Sequence, residues 1–404
     1  MNESEKTAIH FLQNKSILIL SPQSWGEMLI SKHHYAIELA RRGNTVYYLN
    51  PPDNNHWSLA GKKKRISIQA SPIQKNLFLI HQILYFPYKL KYHSRPVYNL
   101  FVRKQIRDIL SVIGKPPDLI WSFDLGNLFP LRLFKGSFFK VFHPVDEPGD
   151  RSALQSGESA SLLLSVTNEI IEKYSSYGIP SFFINHGLAD EFLKDSGIVK
   201  DPSPLKTGLS GNFMRPDLDR KILLEIVEEN SDIEFNFFGS YTAGQSNIGA
   251  QDDEISRTFI CNLQGFVNVK FHGVLKTAEL ACALNGMDIL LICYDMDLDQ
   301  SRGTNYHKVM EYLSTGKVLV SNNITTYRDY PDMIRMVGER DNNRNLPALF
   351  KETVLHLDKY NSPGRMNERK EFAKNNSYKN QLDRIEAIIG GLQKSDSKNK
   401  NIRQ

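Results

Sequence analysis

Cysteine is scarce in this 404-residue sequence, which contains Cys261, Cys282 and Cys293. An odd number of cysteines cannot pair completely, and each lies among apolar neighbours. We therefore expect small core residues in a reducing compartment rather than a disulfide framework. No combination of Cys and His has the spacing of a zinc site. The sequence predicts a fold that is held together by its core, with no metal and no cofactor.

Long apolar runs are also missing, since no stretch approaches the roughly 18–20 residues that cross a bilayer. The segment from Met1 to Lys15 is polar and has no signal-peptide core. With 41% hydrophobic and 24% charged residues, the composition is that of an ordinary globular protein. The length suits two domains. We therefore expect a two-domain cytoplasmic protein.

Acidic residues are absent from residues 54–107, where eleven basic residues stand, including the run from Lys62 to Arg65. The same stretch contains aromatic residues such as Trp57 and Tyr92. Basic residues mixed with aromatics suit an anionic membrane surface or a nucleic acid. The net charge of the whole chain is only +5, which argues against nucleic acid and favours peripheral membrane binding. The alternative is that the aromatics are core residues and the basic residues form a solvated face.

Short apolar segments that alternate with helical patterns predict two consecutive β–α series. In the first series, strands are expected at 16–20, 45–49, 118–122, 138–142, 162–166 and 181–184, with helices at 31–42 and 96–113. The pattern breaks at residues 201–204, and strands restart at 206–210, 233–238, 268–271, 288–293 and 318–320. Two such series predict an α/β protein with Rossmann-like domains at 1–200 and 205–376. A helix at 377–391 and a disordered tail at 392–404 are expected to follow.

The most informative segment joins the strand at 288–293 to a helix that is predicted to open near Thr304 or Asn305 and to end at Gly316. This order places free backbone N–H groups and the positive end of a helix dipole at the carboxyl edge of a parallel sheet, where α/β proteins bind phosphates. Lys308 and Glu311 are three residues apart and share one helical face. A cation for a diphosphate and a carboxylate for ribose hydroxyls suit a nucleotide-sugar. The alternative is a solvated surface pair.

The same segment resembles the donor-site helix of GT-B glycosyltransferases of the family-4 type. The residues that carry the resemblance are Asn305, Lys308, Glu311, Tyr312, Leu313, Gly316, Lys317, Val318, Leu319 and Val320. Relatives of that type also have a Glu eight positions before Glu311, where this chain has Gly303, so a contact of that Glu with the donor sugar is not implied. The resemblance implies the GT-B fold, in which two Rossmann-like domains face each other across a cleft. It also implies that the C-terminal helix returns to the N-terminal domain.

Other strand ends of the second series resemble the donor domain of the same family. The donor-binding residues that the resemblance implies are Gly211, Asn212, Arg215, Gly239, Gly273, Arg302, Thr304, Asn305, Lys308 and Glu311. Gly211 permits close approach of the backbone to a diphosphate. Many relatives have an Arg where this chain has Asn212, so Arg215 and Arg302 are the candidate phosphate clamps. The alternative for Arg215 is a turn residue before Pro216.

The acceptor side is predicted from the first series, where Phe142 to Glu147 follows a buried strand. Asp146 is the candidate catalytic residue, as a general base if the reaction inverts the anomeric carbon. If the reaction retains configuration, Asp146 orients the acceptor or the donor sugar. Its alternative is a turn former. His143 is a second catalytic candidate, and Trp25, Lys32 and His33 are acceptor-binding candidates, with a structural role as the alternative for each histidine.

The expected activity is that of a retaining glycosyltransferase, which moves a sugar from a nucleotide-sugar to a carbohydrate or lipid-linked acceptor in cell-surface or exopolysaccharide synthesis. A nucleotide-sugar epimerase on the same fold is one alternative, because fold does not determine function. A non-catalytic sugar-nucleotide-binding protein is the other. The sugar, the base, the acceptor and the stereochemical outcome stay open, as does the oligomeric state.

Overall fold

The computed structural model describes residues 11–26, 29–194, 204–242 and 252–402. The chain divides into two compact units, Met1–Asn185 with Tyr378–Gln404, and His186–Ser377. Residues 201–203 of the predicted break lie outside the described residues. The second unit begins earlier than the predicted residue 205, because the Leu188 N–H donates to Asn376 O at 2.9 Å and so ties this segment to the end of the same unit.

The first unit contains an eight-stranded sheet among its described residues. Its strands are β1 (Ser16–Leu20), β2 (Thr45–Leu49), β3 (Ile66–Ala70), β4 (Leu77–Gln82), β5 (Leu119–Ser122), β6 (Phe139–Phe142), β7 (Leu162–Ser165) and β8 (Ser181–Phe183). Their spatial order is β3-β4-β2-β1-β5-β6-β7-β8, and only β3 runs antiparallel to its neighbour. The central strand β1 is buried along its whole length, as expected for a parallel strand that is covered on both faces.

Six helices of the first unit lie in the connections between these strands. They are α1 (Ser31–Arg41), α2 (Lys62–Arg65), α3 (Leu90–His93), α4 (Arg95–Ile113), α5 (Arg151–Leu154) and α6 (Asn168–Lys173). The longest, α4, has a proline in its first turn and ends at Gly114, whose φ of 81° is in the left-handed region that favours glycine. Tyr98, Val102 and Ile109 on its inner face are buried in the core.

The second unit contains a six-stranded parallel sheet. Its strands are β9 (Lys206–Ser210), β10 (Glu234–Phe238), β11 (Val269–Gly273), β12 (Ile289–Ile292), β13 (Val318–Ser321) and β14 (Arg335–Met336), in the order β11-β10-β9-β12-β13-β14. The helices are α7 (Arg220–Glu229), α8 (Glu254–Gln264), α9 (Thr277–Asn285), α10 (Lys308–Ser314), α11 (Leu346–Leu355), α12 (Leu357–Tyr360) and α13 (Pro363–Asn375). Both units are therefore Rossmann-like, as predicted.

The last helix, α14 (Tyr378–Ile402), groups with the first unit. Arg42, at the end of α1, donates to the Asp383 carboxylate at 2.8 Å and lies 3.4 Å from that of Glu386. The structure continues the helix to Ile402, where the sequence predicted a disordered tail from residue 392. Neither proline nor a turn signal interrupts the polar residues after Gly391, so the backbone bonds of the helix can continue without a core.

The cysteines correct another expectation. Cys293 is buried, as predicted, but Cys261 on α8 and Cys282 on α9 are exposed. Each lies next to apolar residues in sequence, yet its own position falls on the solvent side of an amphipathic helix. No helix in the described ranges is both long and apolar enough to span a membrane.

Candidate functional site

Two glycine turns meet at the carboxyl edge of the second sheet, after β9 and β10. Gly211 has a φ of 151° and Gly239 a φ of 138°, and a Cβ on Gly239 would lie 1.8 Å from Gly211 O. The Gly211 N–H donates to Phe238 O at 2.9 Å, and the Gly239 N–H donates to Gly273 O at 2.7 Å. Only glycine permits this packing. The predicted residues Gly211, Gly239 and Gly273 are therefore adjacent at one edge of the sheet.

Lys308 brings a buried cation to this edge. Its Nζ donates to Ser210 O at 2.6 Å and to Tyr294 Oη at 2.7 Å. A Cβ placed on Gly211 would lie 3.0 Å from that nitrogen, so the ammonium lies directly against the glycine turn. Lys308 is the first residue of α10, whereas the sequence predicted that this helix opens at Thr304 or Asn305. The residues before Lys308 are instead a loop.

Asp299 explains why the helix starts late. This buried carboxylate accepts hydrogen bonds from the Ser301 N–H at 3.1 Å, the Gly303 N–H at 2.9 Å and Tyr306 Oη at 2.6 Å. The ring of Tyr306 lies 4.8 Å from that of Tyr294, whose hydroxyl in turn contacts Lys308. Asp299 is a further residue of this region that was not predicted from the sequence. The short spacing of Asp, Ser and Gly, which is typical of an Asx turn, is the signal that could have revealed it.

Gly303 is fixed in this loop by its backbone and its surroundings. Its φ is 66°, and a Cβ at this position would lie 2.3 Å from Asn323 O and 2.7 Å from Met296 Cε. In the observed loop, the position at which family-4 relatives have a Glu therefore has no room for any side chain. The neighbouring Arg302 also has a left-handed φ, of 48°, and its side chain is exposed.

Glu311 lies one turn beyond Lys308 and is partly buried. Burial raises the pKa of its carboxyl from 4.5 to about 7, although the Lys308 charge opposes the shift. Next to it, Tyr312 Oη accepts a hydrogen bond from the Ser210 N–H at 2.6 Å, which fixes α10 to the end of β9. Lys308 and Glu311 are therefore partly or fully buried, which contradicts the alternative of a solvated pair.

The remaining predicted donor residues have structural partners. Both carboxylate oxygens of Asp217 accept from Arg215, with Nε at 2.8 Å and 3.1 Å, so the guanidinium is held in the turn before α7. That hydrogen bonding raises the pKa of Arg215 further above its ordinary value. Asn212 Oδ1 accepts from the Met214 N–H at 3.0 Å. Thr304 and Asn305 are buried in the loop before α10. The structure favours Arg215 as a turn residue rather than a phosphate clamp.

In the first unit, Asp146 lies after β6, where the chain emerges from the core. Its side chain is 72% exposed, and Oδ2 lies 3.9 Å from Lys32 Nζ. Lys32 is buried and donates to Gln23 Oε1 at 2.7 Å. Burial lowers the pKa of Lys32, and the Asp146 charge partly opposes this shift. The structure thus brings together two predicted residues, an accessible carboxylate and a buried amine.

The predicted histidines are parts of aromatic packing. His33 Nδ1 accepts from the Ile30 N–H at 3.0 Å, and its ring stacks on Tyr48 and touches the edge of Trp25. Burial lowers the pKa of His33 to about 4, so it is neutral at physiological pH. His143 is fully buried, 5.0 Å from the ring of Phe123. An inaccessible ring cannot exchange protons with an acceptor, so the structure does not support His143 as a catalytic residue.

We expect the titration of Glu311 to affect the stability of the second unit. The folded protein holds the Glu311 proton with a pKa of about 7 and the unfolded chain with 4.5, so between these values the folded state binds more protons. Stability therefore falls as pH rises through this window and levels off above it. Glu311→Gln should remove this contribution, whereas exposed Glu228→Gln should not. Chemical denaturation across the pH range measures both.

Ligand binding should depend on the same proton in the opposite direction. If the ionised carboxylate accepts from ribose hydroxyls, nucleoside affinity rises as pH increases through the pKa of Glu311. Glu311→Gln should weaken binding by about 1–3 kcal/mol and abolish the pH dependence. Calorimetric titration with a nucleoside measures both effects. A wild-type profile that Glu311→Gln does not change would contradict this role.

No family model and no curated protein matches this sequence. Solved structures do resemble the fold. Sucrose-phosphate synthase from Thermosynechococcus elongatus superposes with a TM-score of 0.63 at 12% identity, over 94% of this chain and 98% of that one. The α,α-trehalose 6-phosphate synthase of Burkholderia multivorans gives 0.64 at 10% identity, over 95% and 99%.

A third similar structure is HepE from Anabaena in complex with UDP and glucose, with a TM-score of 0.60 at 14% identity, over 93% of this chain and 99% of that one. The likeness covers both parallel-sheet units in all three comparisons. Identities this low are evidence about architecture rather than about substrates. The chain has the fold of these proteins, which is the GT-B fold of two Rossmann-like domains.

Proposed function

We propose that this protein is a nucleotide-sugar-dependent glycosyltransferase. The observation that carries the proposal is the buried Lys308 ammonium beside the Gly211 turn, with Glu311 one helical turn away. The ammonium can bind a diphosphate, and the carboxylate can accept from paired ribose hydroxyls. Both groups lie at the carboxyl edge of a parallel sheet, where ligands of open α/β sheets bind. The similar HepE structure is a complex with UDP and glucose, which agrees with this ligand class.

The finer proposal is transfer with retention to a carbohydrate or lipid-linked acceptor, in cell-surface or polysaccharide synthesis. In that reaction Asp146 orients a substrate hydroxyl and does not need to remove its proton. Its side chain is exposed and therefore accessible to a substrate, and its Oδ2 lies 3.9 Å from Lys32 Nζ. An epimerase would require acid and base groups around the donor sugar. Position 303 offers no side chain for that purpose, because it is a glycine with no room for a Cβ.

Two measurements test this function. A thermal-shift screen with UDP, GDP, ADP, dTDP and CMP should show stabilisation by one or more of the diphosphates, since a ligand that binds the native state stabilises it. Release of nucleotide from the matching nucleotide-sugar should then fall by at least about tenfold in Asp146→Asn, an order typical of a lost catalytic contact. Nucleotide affinity should not change, because Asp146 lies in the other unit. Stabilisation without any release would indicate a binding protein, and no stabilisation would refute the proposal.

We also propose that residues 54–107 bring the first unit to an anionic membrane surface, with a cytoplasmic location. Some aromatic residues of this stretch are buried in the structure and others are exposed. Phe86 and Tyr98 are in the core, but Trp57 is 46% exposed and Tyr92 is 71% exposed. Exposed aromatics settle at the headgroup level, and each nearby basic residue adds about 1 kcal/mol of attraction. Lys62, Lys63 and Lys64 are all exposed.

Sedimentation with vesicles measures this binding. Wild-type protein should sediment with phosphatidylserine vesicles but not with neutral ones, in a salt-dependent way. Changing Lys62, Lys63 and Lys64 to Ser should weaken sedimentation, while the same change at Lys221, Lys276 and Lys351, exposed in the second unit, should not. Arg65 is left intact because it is buried. Equal sedimentation of the two triple variants would remove the membrane proposal.

A further inference from the structure

A cavity of about 450 Å³ opens in the first unit, beside the antiparallel edge strand β3. Its lining residues are Leu59, Ala60, Gly61, Lys62, Arg65, Tyr85, Lys104 and Asp108. None of the candidate donor or acceptor residues described above contributes to it. A volume in this range accommodates a small molecule.

The inner wall of the cavity is rigid. The buried guanidinium of Arg65 donates to Ala60 O at 2.7 Å, to Gln105 Oε1 at 2.8 Å and to the Asp108 carboxylate at 2.8 Å. These bonds tie the loop before α2 to the middle of α4. Because these N–H donors already have protein partners, we assign Arg65 a structural role in the cavity wall rather than a contact with a ligand. The single carboxylate in the lining is likewise engaged.

Two lysines, Lys62 and Lys104, add positive charge to the lining. Lys104 Nζ lies 3.1 Å from the Asp108 carboxylate, which it shares with Arg65, and 4.4 Å from the centre of the Tyr85 ring. Lys62 Nζ donates to a neutral group, the Ser111 hydroxyl, at 2.7 Å. The lining therefore has three cations and one carboxylate. Residues 54–107, which supply all of the lining except Asp108, contain no acidic residue.

The mouth of the cavity is apolar on one side. Leu59 is among the lining residues and is 79% exposed. Tyr85 presents an aromatic surface beside it, and its hydroxyl is occupied by donation to Phe101 O at 2.9 Å. A ligand that fits both features has an anionic head for the lysines and an apolar body for Leu59. Lysine ammonium groups bind phosphate as point charges.

We propose that this cavity is a binding site for a phosphate or diphosphate group that carries an apolar substituent. It is separate from the diphosphate site of the second unit and does not rest on the proposed glycosyl transfer. The source of the phosphate is a soluble organic phosphate or the headgroup of a lipid. The shared chemistry is a dianion held between Lys62 and Lys104, with its substituent against Leu59.

Tryptophan indole N–H signals in a ¹H–¹⁵N spectrum provide a local readout. All three tryptophans lie in the first unit, and Trp57 is the nearest in sequence to Leu59, so its signal, assigned with Trp57→Phe, reports on the cavity and not on the second unit. The probes are inorganic phosphate and hexyl phosphate. Both should shift the Trp57 signal saturably, and hexyl phosphate should bind more tightly by about tenfold, as its methylenes leave water.

Matched double variants distinguish phosphate binding in the cavity from attraction to the overall positive charge of the protein. Lys62→Gln with Lys104→Gln should weaken hexyl phosphate binding by about tenfold, while Arg103→Gln with Arg107→Gln, the same charge change at exposed positions of α4, should leave it within about twofold. Leu59→Ser should weaken hexyl phosphate but not inorganic phosphate. The lysine variant keeps the bonds of Arg65, and an unchanged melting temperature verifies its fold.

Contrary outcomes are equally specific. Equal losses in the two double variants would show that the phosphate senses only the overall charge, and a Trp57 signal that neither probe shifts would show that the cavity is not a phosphate site. To distinguish the sources, hexyl phosphate is compared with vesicles that contain phosphatidic acid. If hexyl phosphate saturates the cavity and vesicle sedimentation does not change, the natural ligand is a soluble phosphate. Competition between the two assigns the cavity to a lipid headgroup, and both results support the site.

Discussion

Replacing Lys308 with methionine should lower the affinity for nucleoside diphosphates by about 10- to 100-fold, while the affinity for the free nucleoside changes little. The reason is the location of the ammonium, which lies against the Gly211 turn and is held there by Ser210 O and Tyr294 Oη. A diphosphate in that turn would accept hydrogen bonds from the charged group, and these are among the stronger bonds in proteins. Calorimetric titration of wild-type and variant proteins with both ligands measures the difference.

Two further variants make the result interpretable. Lys221→Met removes the same charge from the exposed face of α7 and should leave both affinities unchanged. Tyr294→Phe keeps the cation but removes the hydroxyl that it contacts, so diphosphate affinity should stay within about threefold of wild type or increase. If Lys308→Met binds the diphosphate as well as wild type does, α10 is not part of a donor site. A loss that Tyr294→Phe reproduces would indicate damage to the local fold.

Gly303→Ala should destabilise the second unit by about 2–4 kcal/mol, which combines the cost of a left-handed residue with that of steric overlap. The overlap follows from the 2.3 Å that would separate the new Cβ from Asn323 O. Gly273→Ala is the matched control, because Gly273 has a similar φ of 72° and no atom within 4 Å of a Cβ. It should cost only about 1–2 kcal/mol, the backbone contribution.

Urea unfolding followed by two probes assigns the effect to the correct unit. Far-UV circular dichroism reports on both units, whereas tryptophan fluorescence reports on the first, since Trp25, Trp57 and Trp121 all lie there. We expect the circular-dichroism transition to shift and the fluorescence transition to stay in place. Equal destabilisation by Gly303→Ala and Gly273→Ala would mean that the loop relaxes around the new methyl group. In that case the Glu found in relatives could be accommodated here.

The sequence was most informative where strands are buried on both faces. Strands β1, β2 and β9 were predicted with the bounds that the structure shows, and apolar runs mark the first two. Two of the four edge strands were missed: β3 has only one buried residue, Ile66, and β14 is two residues long. The interior strand β4 was missed as well, although most of its residues are buried. Helix α13 was also missed, since most of its residues are polar or charged. It is anchored by buried Arg369, which donates to Gly316 O at 3.0 Å.

Site residues were predictable where helical spacing alone places them, and not where their role depends on hydrogen bonds that the sequence does not show. Lys308 and Glu311 could be recognised from their spacing on one helix. The start of that helix could not, because Asp299 competes for the N–H groups of the preceding loop. Arg215 was a candidate phosphate clamp because the sequence does not show that the turn brings its guanidinium to the Asp217 carboxylate. His143 could be excluded only when its ring was seen against Phe123.

The exposed thiols of the second unit have a practical consequence for the study of motion. Cys261 and Cys282 can react with a maleimide dye, whereas Cys293 is buried, and residues 1–260 contain no cysteine. All three tryptophans lie in the first unit, whereas Cys282 lies in the second. In a Cys261→Ser variant, a dye on Cys282 would therefore receive resonance energy only from tryptophans of the other unit. The native tryptophans and one labelled cysteine thus form a donor–acceptor pair for resonance energy transfer between the units. Titration with nucleotide would show whether the separation between the units changes when a ligand binds.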